Sequence, residues 1–105
     1  MARRMTADAL KIIDRRFFRT KRARARLQEA VASAEIARQI FSLRTKAGLT
    51  QRELAKLVGT THSVISRLED DDYLGHSLAM LRRIAAAFGK RVEIRFVKDL
   101  GSKTA

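Results

Sequence analysis

The sequence predicts a mainly α-helical domain of about five helices that ends in one β-strand. The 105 residues suffice for one small domain and are too few for two independent cores. Glycine, threonine and aspartate residues divide the second half of the chain into short segments with apolar residues at helical spacing. Only the segment Arg91–Val97 alternates charged and apolar residues, as a half-buried strand does.

The first 26 residues are predicted to form a basic arm with a short helix. Ten lysines or arginines stand there against two aspartates, a net charge of +8. Leu10, Ile13 and Phe17 follow helical spacing and predict a helix from about Ala7 to Phe18, which would be barely stable alone. We therefore divide the chain into this arm, over residues 1–26, and a domain over residues 27–105.

A longer helix is predicted from Arg22 to Lys46, because this segment lacks Gly and Pro and is rich in strong helix formers. Gly48 is expected to end it. Leu27 and Val31 form one apolar stripe on this helix. A second stripe, out of phase with the first, contains Ile36, Ile40, Leu43 and Ala47. The second stripe is expected to face the domain core, and the first a partner or solvent.

Three shorter helices follow, each preceded by a threonine or serine that can cap it. The first is capped by Thr50 and ends at about Val58. The second is capped by Thr60 or Thr61 and ends at about Glu69. The third is capped by Ser77 and ends at about Phe88. Gly59 and Gly89 are expected as C-terminal stops.

The predicted C-terminal strand needs a partner for its backbone hydrogen bonds. Because no second strand is predicted in the chain, it must pair with its own copy across a two-fold axis or with a strand of another protein. A dimer would also add core to a small domain. We therefore expect a homodimer with Val92, Ile94 and Phe96 in its interface.

The basic charge of the chain points to a polyanionic partner. Lysine and arginine number 23 against 11 acidic residues, a formal net charge of +12. Neutralising nucleic-acid phosphates releases condensed counterions, which favours binding without any sequence information. A solvated basic surface and an anionic membrane are the alternatives that charge leaves open.

The sequence lacks the residues that several classes of function require. Without cysteine there is no disulfide, no thiolate metal site and no thiol nucleophile, which suits the cytoplasm. No signal peptide and no run of 18 apolar residues is present. No Gly-rich phosphate loop or Ser/His/Asp triad is apparent, so we expect no enzyme, no cofactor and no metal. Glu35, Glu53 and Glu69 are interpreted as helix-surface charges, and His76 as a loop residue.

The segment Gln51–Asp70 has the residue types that two helices joined by a sharp turn require. Ala55 is small where the second helix crosses the first, and Gly59 stands where the chain must take a left-handed conformation. A shared core is expected from Leu54, Val58, Val64, Ile65 and Leu68. The residues expected to stay exposed on the second helix are Thr61, His62, Ser63, Ser66 and Arg67.

This pattern resembles the Cro/cI-type helix-turn-helix of the XRE family of bacterial and phage repressors. The similarity covers roughly Ile36 to Phe88. It includes Leu43-Arg44, Gly48-Leu49-Thr50-Gln51, Leu54-Ala55, Val58-Gly59 and Ile65-Ser66-Arg67-Leu68-Glu69. The resemblance implies a sequence-specific DNA-binding repressor whose dimer places two recognition helices ~34 Å apart on a palindromic operator.

The resemblance also implies a role for individual residues. Gln51, at a helix N-terminus, would hydrogen-bond a phosphate. Arg52, the next residue, is also expected to bind DNA. The major groove would receive His62, Ser63 and Arg67, with Thr61 and Ser66 at its edge. In the groove, Arg67 would favour a guanine base.

One departure from the family follows the second helix. The usual Asn-Gly turn is replaced by Asp70, Asp71 and Asp72, which stand at the unfavourable end of the helix dipole. The negative charges of this turn therefore disfavour a phosphate contact. The aspartates are expected to pair with arginines or to stay solvated, rather than to bind a metal.

The wider layout resembles HigA-type antitoxins of type II toxin-antitoxin systems. That resemblance implies repression of the protein's own operon and neutralisation of a RelE/HigB-like, ribosome-dependent mRNA endonuclease. The toxin would bind the arm and first helix through Leu10, Ile13, Phe17, Phe18, Leu27 or Val31. The alternative is a stand-alone repressor whose arm contacts DNA. The basic charge of the arm favours this alternative.

Overall fold

The computed structural model describes the backbone of residues 7–98 and the side chains of residues 19–98. Within them the chain forms four helices: α1, Ala7–Lys46; α2, Gln51–Val58; α3, His62–Leu68; and α4, Leu78–Ala87. The mainly helical prediction is confirmed, but the expected number of about five helices is wrong. The predicted arm helix and the long helix are one continuous α1, because no glycine or proline interrupts residues 7–46.

The C-terminal strand is not formed in the single chain. Residues 91–98 have no regular secondary structure, and no strand occurs in the described range 7–98. A strand requires a hydrogen-bonded neighbour, and the described residues contain none to supply it. Pairing of this segment with a second chain stays a prediction.

Each short helix begins at a capping side chain. The Thr50 hydroxyl accepts a hydrogen bond from the Glu53 N–H at 3.0 Å, and the Glu53 carboxylate accepts one from the Thr50 N–H at 2.8 Å. Of the two candidates for α3, Thr61 is the cap, and Ser77 caps α4. Because such caps stabilise a helix by about 1 kcal/mol, the predicted boundaries follow from local chemistry.

The turn after α2 requires a glycine. Gly59 has φ 81°, a left-handed conformation that side chains disfavour, and its N–H bonds the Ala55 carbonyl at 2.9 Å. From α4, the Arg83 guanidinium donates to the carbonyls of Val58 and Gly59 at 2.7 and 3.0 Å. Arg83 therefore satisfies carbonyl groups at the end of α2 and ties α4 to the turn.

Among the described side chains, an apolar cluster joins the four helices. Its buried members are Ile40, Leu54, Ala55, Val58, Ile65, Leu68 and Ile84. Partly buried side chains around it are Ile36, Val64, Tyr73, Met80, Leu81 and Phe88. The predicted core of the Gln51–Asp70 segment is confirmed. From the second stripe of α1, Ile36 and Ile40 face the core, Leu43 is half-buried, and Ala47 is exposed beyond the end of the helix.

The N-terminal part of α1 extends beyond this cluster. Every residue from 19 to 32 is exposed, and the first buried side chain of the helix among the described ones is Ser33. Leu27 and Val31 are 64% and 57% exposed, so the first apolar stripe is uncovered. Leu10, Ile13, Phe17 and Phe18 belong to α1, but their side chains lie outside the described residues. None of the described helices has the length and apolar character needed to cross a membrane.

Candidate nucleic-acid interface

Helix α3 has one buried and one exposed face. Ile65 and Leu68 lie in the core and Val64 packs against it. All five side chains predicted to be exposed are exposed: Thr61 at the cap, and His62, Ser63, Ser66 and Arg67 on the face opposite the core. The core contacts therefore hold a row of polar groups toward solvent.

The exposed face of α3 has the size and chemistry to read base edges. Seven residues make a helix ~10 Å long, which fits a major groove ~12 Å wide. Hydroxyl groups can donate or accept hydrogen bonds, and an arginine can bond both acceptors of a guanine. The face thus offers several kinds of hydrogen-bonding group within two turns of helix.

One carboxylate fixes the position of α3 relative to the other helices. Glu69 accepts two hydrogen bonds from Arg44, from Nε at 2.7 Å and from Nη2 at 2.9 Å. It accepts a third from Gln51 Nε2 at 3.0 Å. Arg44 also donates to the Leu49 carbonyl at 2.8 Å. The end of α3 is thereby joined to α1, to the turn after it and to the first residue of α2.

Glu69 was expected on the helix surface, and this expectation is wrong. Its side chain is only 4% exposed, and that of Arg44 is 12% exposed. A negative charge at the C-terminus of a helix is repelled by the helix dipole. This unfavourable position in the sequence indicates that Glu69 requires a cationic partner. Glu35 and Glu53 are exposed as expected, although Glu53 also completes the cap of α2.

The ion pair stabilises the charged form of Arg44. Its hydrogen bonds to Glu69 raise the pKa of Arg44 above the ordinary value, and the Coulomb attraction acts in the same direction. Partial burial lowers the pKa, but by less than the hydrogen bonds raise it. The raised pKa of Arg44 thus reflects its close pairing with the Glu69 carboxylate.

The two residues predicted at the phosphate-facing start of α2 differ in their surroundings. Gln51 is half-buried, and its amide nitrogen is engaged with Glu69. One amide hydrogen and the amide oxygen remain for another partner. Arg52 is exposed. The predicted phosphate contacts of both residues stay predictions.

The acidic turn after α3 is solvated. Asp70, Asp71 and Asp72 are all exposed, and none forms an ion pair with an arginine in the described part of the chain. The Asp70 carboxylate instead accepts the Asp72 N–H at 2.9 Å. No group of three acidic or histidine side chains suited to a metal occurs among the described residues. This turn forms an acidic border to the α3 surface.

His76 closes the loop between α3 and α4. Its Nε2 lies 2.7 Å from the Leu68 carbonyl, and its ring packs edge-on against Tyr73 with 5.3 Å between ring centroids. At Gly75, a Cβ would stand 2.5 Å from the Tyr73 hydroxyl, so a larger residue would displace that ring. His76 is a loop residue, as expected, and it supports the end of α3.

Known proteins share the part of the chain that carries this geometry. Residues 40–94 match a protein family described as helix-turn-helix. The chain is also 41% identical over 61 residues to an uncharacterized HTH-type transcriptional regulator of Archaeoglobus fulgidus. That alignment covers 58% of this chain and 86% of the relative. No solved structure matches the chain.

Removing the Glu69 carboxylate is expected to destabilise the fold. Glu69→Ala leaves the charge of Arg44 almost buried and unpaired, which should lower the free energy of unfolding by about 3 kcal/mol. Asp71→Ala, which removes an exposed carboxylate nearby, should change it by less than about 0.5 kcal/mol. Urea unfolding followed by fluorescence of the single tyrosine, Tyr73, measures both. Equal losses in the two variants would show that the ion pair does not hold α3.

Proposed function

The chain belongs to the XRE-type helix-turn-helix family, and from this premise we propose that it is a sequence-specific transcriptional repressor that inserts α3 into the major groove. The observation that carries the proposal is the polar face of α3, held outward by Ile65 and Leu68. The regulatory relative in Archaeoglobus fulgidus supports it. Both the family and the relative indicate a DNA-binding regulator and not an enzyme.

We assign the DNA contacts within this proposal by position. His62, Ser63 and Arg67 read base edges, while Thr61 and Ser66 lie at the rim of the groove. Gln51 and Arg52 contact phosphates at the start of α2. The acidic turn at residues 70–72 stays away from the backbone, because its charges repel phosphate. The function implies a cytoplasmic location, with the DNA.

Replacing Arg67 should relax sequence recognition. Arg67→Ala is expected to cost about 1 to 3 kcal/mol on the specific site, a loss of about 5- to 150-fold in affinity, because a bidentate base contact is removed. Binding to a scrambled duplex should change far less. Gel shifts with the DNA upstream of the protein's own coding region and with its scrambled version measure the difference. Arg82→Ala, an exposed arginine of α4, is the matched control.

An equal loss on the specific and scrambled duplexes would contradict this assignment. Arg67 would then be a phosphate contact, which changes affinity uniformly across sequences.

The repressor is further proposed to act as a homodimer through residues 92–97. Ile94 and Phe96 are exposed, and Val92 is half-buried, which leaves apolar surface for a second copy. Antiparallel pairing with the two-fold axis at Ile94 sets Glu93 opposite Arg95 of the second copy, so that opposite charges meet on one face. Parallel pairing in register would set like charges opposite each other. The antiparallel dimer presents two α3 helices to a palindromic operator.

The charges on the paired segment supply a test of this register. Glu93→Arg should weaken the dimer, because it places arginine opposite Arg95 of the second copy. The double variant Glu93→Arg/Arg95→Glu restores opposite charges and should dimerise like the unmodified protein. Sedimentation equilibrium measures the dimer constants. If the single and double variants are weakened alike, the proposed register is wrong.

An antitoxin is the second candidate function, favoured by the uncovered stripe of Leu27 and Val31. In this proposal a RelE/HigB-like mRNA endonuclease docks on α1, with Leu10, Ile13, Phe17 and Phe18 as the further predicted anchors. The strongly basic arm opposes it, since such a toxin is expected to be basic as well. A stand-alone repressor is equally compatible with the family and the relative.

Co-expression with the product of the neighbouring gene separates these two functions. If the chain is an antitoxin, the two proteins co-purify, and Leu27→Glu/Val31→Glu abolishes co-purification while leaving the gel shift intact. Ala32→Glu, at an exposed position on another face of α1, is the control and should retain the partner. A specific shift with no co-purifying protein supports the stand-alone repressor.

A further inference from the structure

One face of α1 changes from buried to basic along its length. Arg19, Arg26, Ser33 and Ile40 are spaced by seven residues, a step that rotates the position by only ~20° on an α-helix. Ser33 and Ile40 are buried, at 7% and 3% exposure, where α1 packs on the domain. Arg19 and Arg26 therefore lie on the same face of α1, beyond the edge of the domain.

Arg22 belongs to the same row, being three residues from Arg19 and four from Arg26. We call these three residues the basic stripe. All three are exposed, and none forms an ion pair with any side chain that the structure describes. In the sequence the same spacing continues to Arg15 and Lys11.

The basic stripe has a physical cost in the free protein. Like charges three and four residues apart repel along a helix, and the only acidic residue from 19 to 32 is Glu29. A row of unneutralised arginines on one face is thus complementary to a partner that carries regularly spaced negative charge. Leu27 and Val31 lie at least ~80° around the helix from the stripe, so the two surfaces are separate.

We propose that the basic stripe binds backbone phosphates of DNA outside the base pairs that α3 reads. This inference rests on the proposed function, which brings a duplex to the domain. The stripe lies on the side of α1 that faces the domain, and Arg19 stands ~21 Å along the helix from Ser33. Duplex DNA carries one charge per ~1.7 Å, and an arginine fork matches phosphate geometry. DNA is therefore a better match than an acidic patch on a protein, whose charges have no regular spacing.

The salt dependence of DNA binding tests the proposal. The variant Arg19→Gln/Arg22→Gln/Arg26→Gln removes the stripe, and glutamine preserves the helix because its propensity is close to that of arginine. Affinity for a long mixed-sequence duplex is measured between about 50 and 200 mM salt. The slope of log affinity against log salt should become shallower by about 2 to 3, which corresponds to three lost phosphate contacts.

A charge-matched variant keeps this test specific. Arg38→Gln/Arg82→Gln/Lys98→Gln removes three exposed basic residues outside the stripe and should leave the slope almost unchanged. Equal slopes for the two variants overturn the proposal. The proposal is also overturned if the stripe variant keeps the salt slope of the unmodified protein but no longer co-purifies with a co-expressed protein. The stripe would then bind a protein and not DNA. Arg67→Ala tests the proposed function separately, since it alters preference between operator and mixed sequence.

Discussion

The structure depends on the carboxylate of Glu69. It binds Arg44 twice and Gln51 once, and so connects α1, α2 and the end of α3 through a nearly buried ion pair. Helix α3 has only seven residues, far fewer than an isolated helix needs for stability in water. Its position is therefore set by tertiary contacts: Glu69 holds its end, and Ile65 and Leu68 hold one face in the core.

In the proposed function, support and recognition use opposite sides of the same helix, α3. The core and the ion pair take one side of α3, and the polar row takes the other. Arg83 adds a second tether, since it bonds the carbonyls at the turn between α2 and α3. Neither tether uses an exposed side chain of α3. Substitutions in the exposed row of α3 are therefore expected to leave the fold intact.

Helix α1 has one part that packs on the domain and another part that is exposed to solvent. From Ser33 onward it contributes to the core and supplies Arg44, whereas from 19 to 32 it is exposed. The length and charge of residues 19–32 do not contribute to packing, because no described side chain covers this part of the helix. Its basic and apolar faces point in different directions, so one helix can present two surfaces. The net charge of +12 makes the long-range attraction of the chain to polyanions strong.

The sequence by itself determined the local features: the caps at Thr50 and Ser77, the turn at Gly59 and the apolar positions of α2 and α3. Each depends on residues within a few positions, so spacing alone predicts it. The sequence predicts two helices where α1 is one, although no glycine or proline interrupts residues 7–46. Only the tertiary structure decided the partner of Glu69, since Arg44 is 25 residues away and local spacing carries no information on such a pair. The predicted C-terminal strand is absent from the described residues, 7–98, because a strand needs hydrogen bonds from a neighbouring strand and the fold of the single chain supplies none there.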